Sequence, residues 1–244
     1  MQKRILLKFY VAAVLLIFLS IGTVTGQDRS SDDEPKYLID LTETKLTGFG
    51  NTHNDFSFVN GELAYVSGAS GAFLFNYRFY IGIYSLSLNS KHMMEDIYPS
   101  DHHPDDNPLL PTHINHKLCF NHGGLMVGYI HNPNNLWHLN TNLKIGTGMV
   151  ALMDKDFDFS DFEQHHRDRV GVITPELDLE INLARWCKFG MSLGYRLVFG
   201  VNDDTYTNSM GEQLRLYHKK DLSSPTFAVK FHFGSFGPKG NDSK

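Results

Sequence analysis

From about residue 51 onward, large apolar residues alternate with small or polar residues in several stretches of the chain. The clearest stretch is KFGMSLGYRLVFG, residues 188–200, where aromatic and aliphatic residues occupy every second position. A period of two is typical of a β-strand with two different faces, and helical periodicity is nearly absent. The pattern therefore predicts an all-β protein.

Eight segments follow this pattern, and the first of them follows it least clearly. They run over approximately 51–60, 62–76, 78–90, 113–130, 136–152, 169–184, 188–201 and 225–236. Most of them reach the length of about 9–11 residues that a tilted strand needs to cross a bilayer.

The connections between these segments are short and long in turn. Three connections are short, namely Asn76-Tyr77, HNPNN at 131–135 and Ala184 to Cys187. Three others are long and polar, with about 22, 16 and 23 residues. Only the tight turn at Asn60-Gly61 breaks this order. Short turns at one end and long loops at the other predict an eight-stranded up-and-down antiparallel transmembrane β-barrel.

The two faces of the segments also distinguish a membrane barrel from a soluble one. A soluble sandwich or lipocalin-like barrel exposes its charged face and buries its apolar face. Here the polar face is rich in glycine and carries charges of both signs, while the other face holds nearly all the bulky aromatic residues. A narrow barrel has room inside for small or polar residues, and large apolar residues outside need lipid to cover them.

Ionisable residues recur on the face that would point into the barrel. They are Lys144, Glu176, Asp178, Glu180, Arg196, Lys230 and His232. Unpaired buried charges are very unfavourable, so we expect these seven groups to pair and to fill the interior as a salt-bridged plug. The sequence therefore predicts no general diffusion pore.

The chain begins with the pattern of a secretory signal peptide. An uncharged apolar run follows the basic residues Lys3, Arg4 and Lys8. A stretch of small residues then ends at Gly26, where cleavage would occur. We predict a signal peptide over 1–26, the alternative being a membrane anchor, for which the apolar run is short. After it we predict a flexible acidic lead-in over 27–47, the barrel over 48–236 and a polar tail over 237–244.

Charge and cysteine content exclude further classes of protein. The whole chain carries a formal charge of −5, and cleavage after residue 26 would remove three basic residues and leave −8. A nucleic-acid partner would require a basic face, so none is predicted. Cys119 and Cys187 fall at opposite ends of the predicted strands and are expected to be free thiols.

The stretch SDHHPDDNPLLPTHINH, residues 100–116, contains the candidate metal ligands His102, His103, His113 and His116. The spacing of His113 and His116 would place them on opposite faces of a strand, which weakens them as a pair. Prolines at 99, 104, 108 and 111 indicate a surface loop, for which adventitious Zn²⁺ or Cu²⁺ binding is the simpler interpretation. We expect no cofactor.

A catalytic alternative rests on the second long connection. His165 and His166, with Asp161 and Glu163, could supply a base and an acid to a lipid-modifying enzyme. The sequence contains no G-x-S-x-G motif, and an adjacent histidine pair is common in polar loops. No catalytic residue is therefore assigned.

Four stretches carry a resemblance to a known group of proteins. They are NYRFYIGIYS at 76–85, GGLMVGYIHNPNNLWHLN at 123–140, TPELDLEINLARWCKFGMSLGYRLVFG at 174–200 and PTFAVKFHFGSF at 225–236. With them the chain resembles the small outer-membrane β-barrel proteins common in Bacteroidota. The resemblance implies a barrel in the outer membrane, and it offers no established activity. Relatives tend to place acidic residues inside the fourth strand, where this chain has Met126 and Gly128.

These observations predict an outer-membrane barrel of structural or surface-recognition type, with both termini in the periplasm. Outer-membrane lipid and a surface ligand of the long loops are the expected partners, and the expected state is a monomer. The alternatives are an outer-membrane lipid-modifying enzyme, a metal-binding protein that uses the loops, and a soluble periplasmic binding protein.

Overall fold

The chain folds into eleven β-strands and one short helix, as seen in a computed structural model that describes residues 44–94, 116–154, 166–201, 205–207, 213–215 and 219–237. The strands are β1 Leu46–Val59, β2 Glu62–Phe75, β3 Phe79–Leu88, β4 Met93–Met94, β5 His116–His131, β6 Trp137–Asp154, β7 His166–Ala184, β8 Cys187–Phe199, β9 Thr205–Thr207, β10 Gln213–Arg215 and β11 Ser224–Gly234, and the helix is α1 Lys219–Leu222.

Eight of the strands form a closed antiparallel barrel. Their order is β3-β2-β1-β11-β8-β7-β6-β5, and pairing of β3 with β5 closes the ring. The prediction of an eight-stranded all-β barrel is confirmed. The short strand β4 extends the pairing along β5, and β9 and β10 form a separate hairpin.

The barrel has two unlike ends. At the turn end, residues 76–78, 132–136 and 185–186 join neighbouring strands. At the loop end the Asn60-Gly61 turn joins β1 to β2, and β3, β6 and β8 end there before the longer segments of sequence that lead to β5, β7 and β11. Asn60 and Gly61 both have positive φ, 51° and 79°, as a two-residue hairpin of type I′ requires.

The first strand is longer than the sequence pattern predicts, since it begins at Leu46 instead of residue 51. Its inward side chains include both Phe49 and the polar residues Asn51 and His53. Because large and polar residues share one face, the alternation that identifies a strand is weak there. The long polar connections also hold α1 and the short strands β4, β9 and β10, which the sequence did not predict.

Inward and outward positions alternate along the other barrel strands as predicted. In β8, for example, Lys188, Ser192 and Arg196 are buried, whereas Leu193 and Phe199 are exposed. No helix in the described part of the chain combines the length and the hydropathy needed to cross a membrane.

Candidate functional site

All seven ionisable residues that the sequence places inside the barrel are buried there, each at most 4% exposed. They are Lys144, Glu176, Asp178, Glu180, Arg196, Lys230 and His232. They project from β6, β7, β8 and β11, where every second residue points inward. Within the interior they separate into three groups.

The central cluster consists of Lys144, Lys230, Glu176 and Asp178. The Lys144 ammonium lies 2.8 Å from one Glu176 oxygen, and the Lys230 ammonium lies 2.7 Å from the other. Lys230 also reaches Asp178 at 3.1 Å, so two ammonium groups balance two carboxylates. Charge-assisted hydrogen bonds of this length are the strong ones, and the paired cluster carries no net charge.

The turn-end cluster consists of Glu180, His138, Lys188 and His232. His138 Nε2 lies 2.9 Å from Glu180 and 3.1 Å from the Lys188 ammonium, and Lys188 lies 3.4 Å from Glu180. His232 lies 3.9 Å from the same carboxylate. Three basic side chains, from β6, β8 and β11, thus surround the Glu180 carboxylate.

Asn140 connects the two clusters. Its amide nitrogen donates to Glu180 at 2.6 Å and to Asp178 at 3.3 Å. Its amide oxygen accepts a hydrogen bond of 3.2 Å from the Tyr80 hydroxyl. The Tyr80 ring fills the space over Gly128, where an added Cβ would lie 2.2 Å from the ring carbon Cζ.

Arg196 differs from the expectation that all seven groups form ion pairs. Among the described residues its guanidinium makes no ion pair with a carboxylate, and it donates instead to the carbonyls of Leu222 at 2.9 Å and Phe58 at 3.4 Å. It also lies 5.2 Å from the centre of the Phe120 ring. The end of α1 supplies the Leu222 carbonyl, so Arg196 ties the third long connection to the barrel.

Apolar side chains close the interior on both sides of the charged clusters. At the loop end they include Leu118, Phe120, Val150 and Val170, near the ends of β5, β6 and β7. At the turn end Phe49 packs on Tyr80 and on Phe236, whose backbone N–H donates to the Arg185 carbonyl. The expectation that the interior holds mainly small or polar residues is therefore wrong at its two ends.

Large apolar side chains cover most of the barrel's outer surface. Exposed aliphatic residues include Ile83, Leu125, Leu193 and Leu177. Near the turn end, Trp137 and Trp186 are exposed, and Trp186 stacks on Phe233 with ring centres 6.2 Å apart. The outer surface is thus apolar where the interior is charged.

Sequence reasoning missed several interior polar residues, namely His53, Asp55, His138, Asn140, Asn142, Tyr80 and Lys188. Lys188 is an even number of residues away from the inward Arg196 on β8, and His138 is an even number away from the inward Lys144 on β6. The alternation of inward and outward residues could therefore have identified both. His53 and Asp55 lie on β1, where the alternation is weak.

The candidate metal ligands and catalytic residues fall mostly outside the described part of the chain. His102, His103 and His113 are not within it, nor are Asp161, Glu163 and His165, while His116 and His166 are described only as the first residues of β5 and β7. Within the described ranges no group of three His, Cys, Asp or Glu side chains could hold a metal ion. Both cysteines are free thiols, as predicted.

No protein-family model matches the chain, and no curated protein matches it. Solved structures with a similar arrangement include neisserial surface protein A, with a TM-score of 0.46 and 6% identity over 78% of this chain and 97% of that one. The attachment invasion locus protein Ail of Yersinia pestis has a TM-score of 0.41 and 10% identity over 78% of this chain and 97% of that one. The outer membrane protein OprG of Pseudomonas aeruginosa has a TM-score of 0.40 and 10% identity over 80% and 96%. The strand pairings themselves define this chain as a closed eight-stranded antiparallel β-barrel with a charged interior.

Proposed function

We propose that the protein is an outer-membrane β-barrel of structural or surface-recognition type, and that it is not a general diffusion pore. The observation that supports the proposal most strongly is that charged side chains lie inside the barrel and apolar side chains outside, the reverse of a soluble protein. Four lysine and arginine side chains, with the carboxylates of Glu176, Asp178 and Glu180, are buried inside, whereas leucine, isoleucine and phenylalanine face outward.

A lipid surrounding explains this polarity better than water does. A soluble barrel gains stability by burying apolar side chains and leaving charges in solvent. Here Ile83 and Leu193 are each 67% exposed, although both lie in the middle of strands. In a bilayer the same side chains contact acyl chains, and the closed ring of strand pairs leaves no unpaired barrel edge.

The connections support an orientation within the outer membrane. Both ends of the barrel sequence, Leu46 and Gly234, lie at the turn end, and the strands that precede the long connections, β3, β6 and β8, end at the other end. Short turns face the periplasm and long loops face the outside in barrels of this kind. We therefore place the termini in the periplasm, in accord with the predicted signal peptide and with the resemblance to Bacteroidota barrels.

The closed interior supports a role that does not involve passage through the barrel. The ion-paired clusters lie between two apolar layers, and an eight-stranded barrel is just wide enough for side chains to fill it. The outer-membrane lipid and a ligand of the long connections are then the partners. No described residue of the interior favours an enzyme or a metal carrier over this role.

Two matched substitutions test the membrane assignment. Leu125 and Leu136 are 60% and 62% exposed, but Leu125 lies within β5 and Leu136 in the turn before β6. In a bilayer Leu125→Arg should lower the free energy of unfolding by about 2–4 kcal/mol, and Leu136→Arg by about 0–1 kcal/mol. Equal, small effects of the two variants would show that water surrounds both positions.

Extraction and conductance complete the test. The mature protein should require detergent for extraction, and its gel mobility should differ between boiled and unboiled samples. In planar bilayers it should give no conductance steps of general-porin size. Release with the soluble periplasm would overturn the membrane assignment, and porin-like steps would overturn the closed interior.

A further inference from the structure

A serine, a histidine and a glutamate are hydrogen-bonded in series at the loop end of the barrel. The Ser90 hydroxyl lies 2.9 Å from His92 Nε2, and His92 Nδ1 lies 3.1 Å from a Glu62 carboxylate oxygen. Glu62 begins β2 directly after the Asn60-Gly61 turn, while Ser90 and His92 lie in the segment between β3 and β4. We call these three residues the rim triad.

Backbone hydrogen bonds hold the segment that carries Ser90 and His92. The Asn89 and Ser90 amides both donate to the Tyr65 carbonyl, at 2.9 and 3.2 Å, just beyond the last residue pair of β2 and β3. On the other side, the His92 carbonyl accepts a 2.9 Å hydrogen bond from the Leu118 amide of β5. The rim triad is therefore fixed between β2 and β5 by the main chain.

The direction of each proton in the rim triad follows from its partners. A carboxylate only accepts, so the contact with Glu62 places the hydrogen of the neutral imidazole on Nδ1 and leaves Nε2 as an acceptor. Ser90 Oγ accepts the Tyr65 backbone N–H at 3.0 Å, and its own hydrogen is directed to His92 Nε2. In this order of atoms a histidine can take the proton of a serine nucleophile.

A second serine–histidine contact among the described residues lacks this order. The Ser70 hydroxyl lies 3.2 Å from His53 Nε2, but it donates its hydrogen to the Asn51 side chain. His53 is also buried in the barrel interior, away from any substrate. By contrast, Ser90 is half-buried at the rim and Glu62 is exposed. The rim triad thus combines the proton order of a nucleophile with access from outside.

The surroundings of Ser90 supply further parts that acyl transfer needs. His92 is buried, so little water can compete with Ser90 for its ring nitrogen. In the part of the chain that the structure describes, the backbone N–H of Lys91 makes no hydrogen bond. The backbone N–H directly after a serine nucleophile is a donor to the developing oxyanion in α/β-hydrolases. Lys91 therefore provides such a donor beside Ser90.

The rim triad lies where the apolar outer surface of the barrel ends. Leu63, the neighbour of Glu62, is exposed and pairs with the exposed Phe58 of β1. Under the membrane assignment proposed above, these two side chains face acyl chains, and the lipid headgroups lie beyond them. The esters of a membrane lipid lie at that boundary, because they join the acyl chains to the headgroup. The position of the rim triad thus matches the depth of these esters.

We propose that the rim triad hydrolyses acyl esters of an outer-membrane lipid, with Ser90 as nucleophile, His92 as general base and Glu62 as the positioning residue. Ser90 Oγ bonds to the ester carbonyl carbon while its proton passes to His92 Nε2. The ester C–O bond then breaks, and the departing alcohol takes that proton. Water attacks the acyl-serine and gives a proton to His92, after which Oγ takes the proton back and the carboxylic acid leaves. The activity adds to the proposed structural role, and its lipid substrate rests on the membrane assignment.

Covalent labelling of the unmodified mature protein tests the nucleophile. In detergent the protein should react with a fluorophosphonate, and mass spectrometry should find the adduct on Ser90. Ser90→Ala should abolish the label. The matched control is Ser87→Ala, because Ser87 lies on the same stretch of chain but donates to Asn121 instead of a histidine, and this variant should keep the label. An unlabelled parent protein, or an adduct on another serine, would overturn the proposal.

Ester hydrolysis tests the histidine and the carboxylate. In detergent micelles the parent should hydrolyse p-nitrophenyl dodecanoate, and Ser90→Ala and His92→Gln should each lower kcat by at least about 100-fold. Glu62→Gln should lower kcat by a similar factor and leave KM unchanged, because it alters the orientation of His92 and not the binding of substrate. Undiminished hydrolysis by Ser90→Ala or Glu62→Gln would overturn the triad.

Two further outcomes separate the substrate class and the membrane assignment from the triad. A higher kcat/KM for p-nitrophenyl acetate in free solution than for the dodecanoate in micelles would overturn the lipid substrate. A parent protein that requires detergent and shows the heat-dependent gel shift, but hydrolyses neither ester, refutes the triad and leaves the membrane assignment standing. Release without detergent refutes the membrane assignment and the lipid substrate together.

Discussion

The Lys230 ammonium lies 2.7 Å from the Glu176 carboxylate, although β8 separates the two strands that carry these residues. The contact therefore crosses the barrel interior instead of following a strand pair. Lys230 reaches Asp178 as well, and both carboxylates are fully enclosed. Without the Lys230 ammonium, the central cluster would carry one net negative charge.

Lys230→Met should lower the free energy of unfolding by about 3–5 kcal/mol, because it leaves a buried carboxylate without a cation. Urea titration in lipid vesicles, followed by tryptophan fluorescence, measures this change. Adding Asp178→Asn should recover much of the loss, since Lys144 still neutralises Glu176. A Lys230→Met variant as stable as the parent would contradict the central role of the ion pairs.

Gly128→Ala should destabilise the barrel by about 1–3 kcal/mol, because the new methyl group overlaps a ring that cannot withdraw. The Tyr80 ring is held by its hydrogen bond to Asn140 and by the edge of Phe49, 5.2 Å away. In a Tyr80→Leu background the same substitution should have a much smaller effect. Additive losses in this double-mutant cycle would show that the two sites do not interact.

Arg196→Lys should loosen the connection 200–223 at its α1 end. Lysine keeps the charge but cannot reach the Leu222 and Phe58 carbonyls together, so about 1–2 kcal/mol of local stability is lost. Chymotrypsin should then cleave at Tyr206 or Tyr217, both in this connection, about tenfold faster than in the parent. Arg169→Lys is the control, since Arg169 is exposed, and equal rates for both variants would count against the tether.

Zinc should bind the protein more weakly than micromolar, and simultaneous alanine substitution of His102, His103, His113 and His116 should leave the binding isotherm unchanged. The physical reason is that the spacing of His113 and His116 does not direct both rings to one side of a strand. Isothermal titration calorimetry of the two proteins decides the question. Micromolar or tighter binding that is lost in the variant would instead establish a metal site.

The strands were most predictable where the two faces differ most. In β7, Leu177 and Leu179 face outward while Glu176, Asp178 and Glu180 face inward, so the period of two is plain. In β1, Phe49 shares the inward face with Asn51 and His53, and the contrast between faces disappears. Strands of two or three residues, such as β4, are too short to show any period.

The sequence predicted which ionisable residues face the interior better than it predicted which of them pair with one another. Alternation places Lys230 and Glu176 inside, but it does not say which cation meets which carboxylate. That depends on the tilt of the strands and on the register of every pair between β7 and β11. Likewise, the Leu222 carbonyl that accepts a hydrogen bond from Arg196 belongs to a helical turn that has no apolar period of its own.

The position of Lys230 on the last strand has a consequence for biogenesis. The hairpin of β6 and β7 brings together Lys144, Glu176 and Asp178, a group with one negative charge in excess. Only β11 delivers the balancing cation, and β11 is also the strand that pairs with β1 to close the ring. Chain closure and charge neutralisation therefore coincide, so a chain that has not yet placed β11 in the ring still carries one carboxylate of this group without its cation.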